Sequence, residues 1–130
     1  MKTVADVQEF ERVEQQLHSM LGEMSELSKK KPNDAVNKFK LKLINVLITA
    51  MNKLLETYKP FNDFDTFDDN DLPTNSDVVV MLSQYNGSTL RFRTDNTEYD
   101  RATSDWIWRL PGKGGAVKTK QPREFRFESK

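Results

Sequence analysis

The stretch from residue 61 to residue 73, FNDFDTFDDNDLP, brings five carboxylates close together and contains no basic residue. The carboxylates belong to Asp63, Asp65, Asp68, Asp69 and Asp71, and the aromatic rings of the stretch to Phe61, Phe64 and Phe67. Carboxylate oxygens bind hard divalent cations, and a local excess of negative charge attracts basic partner surfaces. The stretch therefore has three interpretations: a metal site, a partner-binding segment, or a solvated connection between two parts of the domain.

The spacing of these aspartates does not fit a calcium-binding loop of the EF-hand type. Such a loop needs oxygen ligands at positions 1, 3 and 5, and glycine at position 6. Counted from Asp63, position 5 is Phe67, and counted from Asp69, position 5 is Pro73. The pair Asp63-x-Asp65 matches the aspartate pair of a phosphatase, but no buried apolar strand precedes it. The partner-binding segment and the solvated connection therefore remain.

The three phenylalanines follow one another at three-residue intervals, a spacing that points side chains in one direction on a short helical turn. We expect the rings to pack onto the ends of the neighbouring helices, while the aspartates face water or a basic partner. The partner-binding hypothesis for this stretch therefore includes all eight side chains, the five aspartates and the three phenylalanines.

The remaining sequence contains no recognisable set of side chains for nucleophilic or acid–base catalysis. Cysteine is absent, which removes thiolate chemistry, disulfides and every cysteine-ligated metal site. His18 is the one histidine and lies beside an apolar helical stripe, and no serine occupies a Gly-x-Ser-x-Gly turn. The GKGG run at residues 112–115 lacks the spacing and the following hydroxyl residue of a phosphate-binding loop. We therefore predict a protein that is not an enzyme and that uses no metal and no cofactor.

Two amphipathic helices precede the acidic stretch. Apolar residues at three- and four-residue steps predict a helix over about residues 3–30, which ends at three lysines followed by Pro32. A second helix is predicted over about residues 35–58, and the short connection favours an antiparallel helical hairpin. The stripe on the first helix comprises Val4, Val7, Phe10, Val13 or Glu14, Leu17, Met20, Leu21, Met24 and Leu27.

The second helix is apolar over most of its circumference, which indicates burial on more than one side. The face predicted to meet the core comprises Val36, Phe39, Leu43, Leu47, Met51, Leu54 and Tyr58. The residues that widen the apolar surface beyond it are Leu41, Ile44, Val46, Ile48 and Leu55. Downstream strands or a second copy of the protein must cover this surplus. We assign Ile44, Ile48 and Leu55 to a partner-binding surface on this ground.

After the acidic connection, which covers residues 59–76, the apolar residues recur at every second position. Alternating apolar residues predict two strands around Asn86-Gly87, a turn typical of two-residue hairpins, and DWIWRL predicts a third. The predicted strands cover residues 77–85, 88–94 and 105–110. We therefore predict a single α+β domain over residues 1–110, in which a three-stranded antiparallel β-meander follows the helical hairpin.

Residues 111–130 hold six basic and two acidic residues with three glycines and two prolines, and they predict a flexible basic tail. Together with lysines at the helical turn and arginines of the predicted strands, this tail offers phosphate-binding groups. The residues concerned are Lys29, Lys30, Lys31, Lys38, Arg91, Arg93, Lys118, Lys120, Arg123 and Arg126. A nucleic-acid-binding module is therefore the alternative function.

The segments LGEMSELSKK and KLINVLITAMNKLLETY resemble the helical hairpin of the all-α nucleoside triphosphate pyrophosphatases of the MazG kind. The resemblance implies glutamates on one helix and a Glu-x-x-Asp pair on the next, which jointly bind magnesium. Glu23 and Glu26 match two of the first set, but Lys42 and Asn45 occupy the positions of the later pair. Because the implied metal site is incomplete, a metal-dependent phosphohydrolase is a third and disfavoured interpretation.

Charge and hydropathy favour association with other proteins. The chain holds 20 basic and 20 acidic residues, so no net charge draws it to nucleic acid or to a membrane. Its longest apolar-rich stretch is too short to span a bilayer, and a cytoplasmic location is expected. The charges are segregated, because the first helix is acidic while the helical turn and the tail are basic. We predict a protein–protein interaction module, such as an accessory subunit or an inhibitor or immunity-type binder, that oligomerises or docks on a larger partner.

Overall fold

The computed structural model describes residues 1–111 and 117–124, and within them the helices precede the strands. The helices are α1 (Val4–Lys30), α2 (Lys38–Leu55) and α3 (Asn75–Asn96), with a 3-10 turn at Glu56–Tyr58 after α2. The strands are β1 (Thr97–Asp100), β2 (Asp105–Trp108) and β3 (Val117–Thr119). The α+β prediction is confirmed, with helices first and an antiparallel sheet after them.

Capping side chains determine where the first two helices begin. Thr3 and Asp6 form a capping box at the start of α1, in which each side chain accepts a hydrogen bond from the backbone of the other. The amide oxygen of Asn37 accepts hydrogen bonds from Phe39 N at 2.8 Å and Lys40 N at 3.2 Å, so α2 begins at Lys38. The prediction for α1 is confirmed, whereas α2 is shorter at both ends than the predicted 35–58.

The predicted strands at 77–85 and 88–94 are wrong, because residues 75–96 form the single helix α3. Thr74 and Asp77 form a second capping box that starts this helix. Neither Asn86 nor Gly87 has the positive φ that a two-residue hairpin turn requires. The buried face of α3 includes Val78, Leu82, Tyr85 and Phe92. The apolar residues of this segment therefore fit the three- and four-residue spacing of a helix as well as the alternation of a strand. Packing against α1 favours the helix.

The three helices form a bundle in which α1 is antiparallel to both α2 and α3. Lys40, at the start of α2, lies 3.5 Å from Glu23 in the second half of α1, and this confirms the antiparallel hairpin. Arg93, near the end of α3, pairs with Glu14 in the first half of α1. Helices α2 and α3 therefore run parallel, which requires a long connection that returns along the bundle.

That connection, residues 59–74, is called the strap. The side-chain amide of Asn52 donates to Asp65 O at 3.0 Å, and that of Asn45 donates to Phe67 O at 2.9 Å. Phe67 N donates back to the oxygen of the Asn45 side chain at 3.0 Å. The acidic stretch therefore runs back along α2 and joins α2 to α3. The prediction that it joins the helical hairpin to the meander is wrong.

The sheet has the order β1-β2-β3 and both pairings are antiparallel, as in the predicted meander. Only β2 falls within a predicted strand. β3 falls within the predicted flexible tail, and that prediction is therefore wrong at Val117–Thr119. Trp108 of β2 is 2% exposed and meets Phe10 of α1 edge to face, with ring centroids 5.3 Å apart. The sheet thus packs against the first half of α1.

Candidate interaction surface

The outward face of α2 carries exposed apolar side chains. Phe39, Leu43 and Val46 are 68%, 44% and 64% exposed, respectively. Steps of four and three residues place them in one row along the helix, and this row is called the outer stripe. Scattered exposed apolar residues are ordinary on a protein surface, whereas a contiguous group of them is typical of a binding site. The outer stripe is therefore the candidate functional site.

The structure reverses part of the sequence assignment of α2. Phe39 and Leu43, predicted to face the core, belong to the outer stripe. Ile44, Ile48 and Leu55, predicted to bind a partner, are at most 1% exposed and lie in the hydrophobic core. They are not accessible to a partner, because they are buried in the core of the chain itself. Of the residues predicted to widen the apolar surface, Val46 is exposed, and the other two residues of the outer stripe, Phe39 and Leu43, were predicted to face the core.

Grooves flank the outer stripe on both sides. Between α1 and α2 lies a groove of about 370 Å³, whose apolar wall includes Met20, Leu43, Val46 and Ala50. On the other side, a groove of about 530 Å³ lies between α2 and the strap and is lined by Lys42, Val46 and Phe67. Val46 lines both grooves, so the stripe is the ridge between two depressions.

The charge on α2 has one sign. The helix contains Lys38, Lys40, Lys42 and Lys53 and no acidic residue. Lys40 is paired with Glu23 on the α1 wall of the groove. Lys38 and Lys42 form no ion pair within residues 1–111 and 117–124. The outer stripe is therefore an apolar row with lysines beside it, of which Lys42 shares its groove with the exposed Asp69 of the strap.

The strap exposes its carboxylates and partly buries its rings. All five aspartates of the acidic stretch are exposed. Phe64 and Phe67 are half-buried and meet edge to face, with ring centroids 5.1 Å apart, while Phe61 is 44% exposed. Across the part of the chain that the structure describes, no three His, Asp or Glu side chains converge in a way that could hold a metal ion. The sequence does not indicate that Asn45 and Asn52 form hydrogen bonds with the strap backbone, because this pairing depends on tertiary contact.

Arg93, predicted to bind phosphate, is instead 2% exposed and paired inside the protein. Its guanidinium donates to both carboxylate oxygens of Glu14, at 3.0 and 2.7 Å, and to Glu11 at 3.3 Å. Its Cζ atom lies 5.0 Å from the ring centroid of Trp108. Burial lowers the pKa of Arg93, but the hydrogen bonds and charges of Glu14 and Glu11 outweigh it and raise that pKa. Arg93 is therefore a structural ion-pair partner, and the phosphate-binding assignment is wrong for it.

The other basic residues of the nucleic-acid hypothesis that the structure describes do not share one surface. Lys29, Lys30, Lys31 and Lys38 lie where α1 ends and α2 begins. Lys120 lies 3.9 Å from Glu14. With a helical rise of about 1.5 Å per residue, Glu14 is roughly 25 Å from Lys31 along α1. Near that end, Lys118 pairs with Asp105 at 3.3 Å. Arg91 is exposed on α3, Arg123 lies in the described segment after β3, and Arg126 lies outside the described residues.

His18 is half-buried on α1 and lines a pocket of about 400 Å³ with Glu14 and Lys120. Burial lowers the pKa of His18, although the negative charge of Glu14 and a hydrogen bond with Asn86 act in the opposite direction. The described residues lining this pocket include no serine, threonine or tyrosine that could act as a nucleophile. The pocket offers His18 ion-pair and hydrogen-bond neighbours, which suits a structural role.

The helical pair that resembles a pyrophosphatase hairpin does not assemble that family's ligands. Glu23 pairs with Lys40 at 3.5 Å, and Glu26 pairs with Lys29 at 3.2 Å. Lys42 and Asn45, at the positions of the expected acidic pair, face the groove beside the strap. Comparison with family models, with curated proteins and with solved structures found no match to this chain. None of the helices in the described ranges is long and apolar enough to cross a bilayer.

Proposed function

We propose that this protein is a non-enzymatic protein–protein interaction module that docks on a larger partner through the outer stripe of α2. The observation that carries the proposal is the exposure of Phe39, Leu43 and Val46 in one row on a cationic helix. The core of this chain does not need these side chains, because α2 already buries six other residues in it. Accessory subunit and inhibitor or immunity-type binder are the roles that such a module would fill.

The size of the stripe limits the affinity that it supplies alone. Complete burial of one large apolar side chain contributes about 1.5–3 kcal/mol, so the exposed parts of these three contribute roughly 3–5 kcal/mol. A dissociation constant of about 1 mM already corresponds to roughly 4 kcal/mol. Stable docking therefore requires the adjoining grooves or the lysines as well. A partner that contacts the stripe, the grooves and the lysines is therefore expected to bind with higher affinity than one that contacts the stripe alone.

Site-specific photo-crosslinking tests the proposal. Phe39 is replaced by p-benzoylphenylalanine, and the full chain is irradiated in extract of the cells that encode it. We expect a discrete cross-linked product whose yield falls when Val46→Asp is added. Val80 of α3 is the matched control position, because it is 62% exposed against 64% for Val46 and lies on another helix. Equal labelling from positions 39 and 80, or no product from position 39, contradicts docking through α2.

The strap provides a second test within the same proposal. Replacing the five aspartates of the acidic stretch by asparagine should leave the fold intact, because all five are exposed. If the strap contributes to the interface, the cross-link from position 39 weakens in this variant. If the strap is only a connection, the yield is unchanged and docking rests on α2.

A further inference from the structure

We infer that the partner element that occupies the outer stripe is an acidic amphipathic helix. This inference rests on the proposed function and specifies the chemistry of the partner. It combines three properties of the site: its shape, its charge and the poor match of this chain's own surfaces to it.

The shape of the site suits a helix. The outer stripe presents apolar residues at steps of four and three, and the groove between α1 and α2 runs beside it. An amphipathic helix carries its own apolar anchors at the same steps and inserts them into such a groove. The stripe and its groove wall run from Phe39 to Ala50, about 17 Å at about 1.5 Å per residue, so about three turns of a partner helix would lie along them.

The charge of the site suits an acidic helix. Lys38 and Lys42 flank the apolar row without ion pairs among the described residues, and α2 itself has no carboxylate. Asp69 of the strap lines the same groove as Lys42, so the positive charge is concentrated at the start of α2, where Lys30, Lys31 and Lys38 lie. The opposite wall is balanced, because Glu23 is paired with Lys40 and Glu9 with Arg12. A partner helix with glutamates or aspartates beside its apolar anchors would pair with the free lysines. A basic partner helix would meet repulsion from the lysines at the start of α2.

The helices of a second copy of this chain fit the site poorly. Two α2 helices packed antiparallel with their outer stripes in contact would bring Lys42 close to Lys42 of the other copy, and parallel packing would oppose each lysine with its equivalent. Helix α1 is acidic, but its exposed positions from residue 8 to residue 26 are all polar or charged and supply no anchors. The exposed positions of α3 supply one large apolar side chain, Val80.

Peptide binding tests the inference directly. Two helix-stapled peptides of about 18 residues carry leucines at the same three- and four-residue steps, with glutamate at the flanking positions of one and lysine in the other. Each is labelled, and its binding to the full chain is followed by fluorescence anisotropy. We expect the acidic peptide to bind at least about tenfold more tightly than the basic one, with an affinity that falls as salt is raised.

Variants locate the binding. Val46→Asp should weaken binding of the acidic peptide by about tenfold or more, because it places a carboxylate on the ridge between the grooves. Val80→Asp, at a position of matching exposure on α3, should leave binding unchanged. Lys42→Glu should reduce the preference for the acidic peptide. Circular dichroism melting of each variant verifies that the fold is retained.

Several outcomes overturn the inference. These are equal binding of both peptides, preference for the basic peptide, no binding of either, and binding that survives Val46→Asp. Two further outcomes assign the stripe to another occupant and also overturn it. One is a dimer in sedimentation equilibrium that Val46→Asp dissociates; the other is sedimentation with phosphatidylserine vesicles that the same variant abolishes. If neither peptide binds while the cross-link from position 39 persists, the acidic helix is excluded and docking through α2 stands.

Discussion

Arg93 of α3 and Glu14 of α1, 79 positions apart in sequence, form a two-point ion pair inside the protein. The side chains are 2% and 7% exposed, so water screens neither charge. Glu11 and Thr119 add further contacts, which tie α1, α3 and β3 together at one point. This pair links α1 to α3, and Thr119 joins β3 to it through Arg93 and Glu11.

Removal of Glu14 should destabilise the protein strongly. Glu14→Ala leaves the Arg93 charge buried with only Glu11 to compensate it, and breaking a buried pair costs about 3–5 kcal/mol. Urea unfolding measures the loss. Glu9→Ala, which breaks the exposed pair with Arg12, is the control and should cost much less, because water screens that pair. Equal costs for the two variants would contradict the structural role of Arg93.

Gly87→Ala should stabilise the protein. Gly87 lies inside α3, no atom lies within 4 Å of an added Cβ, and alanine is favoured over glycine in a helix by about 0.5–1 kcal/mol. If residues 86 and 87 formed a hairpin turn, a positive φ would make the same substitution unfavourable. The sign of the change in unfolding free energy therefore distinguishes the helix from the predicted hairpin. Gly22→Ala in α1, which is equally open, should give a similar gain and calibrates the comparison.

Asn45→Ala should release the strap from α2. The variant removes both hydrogen bonds to the backbone of Phe67, and part-buried groups left without partners cost about 1–3 kcal/mol. Hydrogen exchange should show faster exchange at the Phe67 amide, with α1 protected as before. Asn62→Ala, at an exposed position of the strap, should change stability by less than about 0.5 kcal/mol. An unchanged exchange rate at Phe67 would show that other contacts hold the strap.

His18 should make stability depend on pH. Burial lowers the pKa of His18 in the folded protein below its ordinary value of 6.5, so the unfolded chain binds more protons in this range. The contribution is fully present above pH 6.5 and is lost as pH falls through the folded pKa. We expect the unfolding free energy to fall less between about pH 7.5 and pH 5.5 in His18→Gln than in the unchanged protein. An equal fall would assign the pH dependence to carboxylates.

Some of the fold could be predicted because local signals agree with one another. In α1, the apolar period, the terminal lysines and Pro32 all predict the same helix, and the structure contains it. In α3, Val78 and Leu82 satisfy both the two-residue and the four-residue period, and Asn86-Gly87 favours a turn. Local signals conflict there, and the contact with α1 decides the outcome.

The candidate site shows the same division more sharply. Sequence alone determined that α2 has more apolar surface than one neighbour can cover and that all its charges are lysines. Only the tertiary structure decided that Ile44 and Ile48 are buried while Phe39 and Val46 are exposed. The physical reason is that a helix apolar on most sides has no unique inner face in its sequence. The neighbouring helices and the strap, to which Asn45 and Asn52 form hydrogen bonds, determine that face. The sides of α2 that they contact are buried, and the remaining side is exposed.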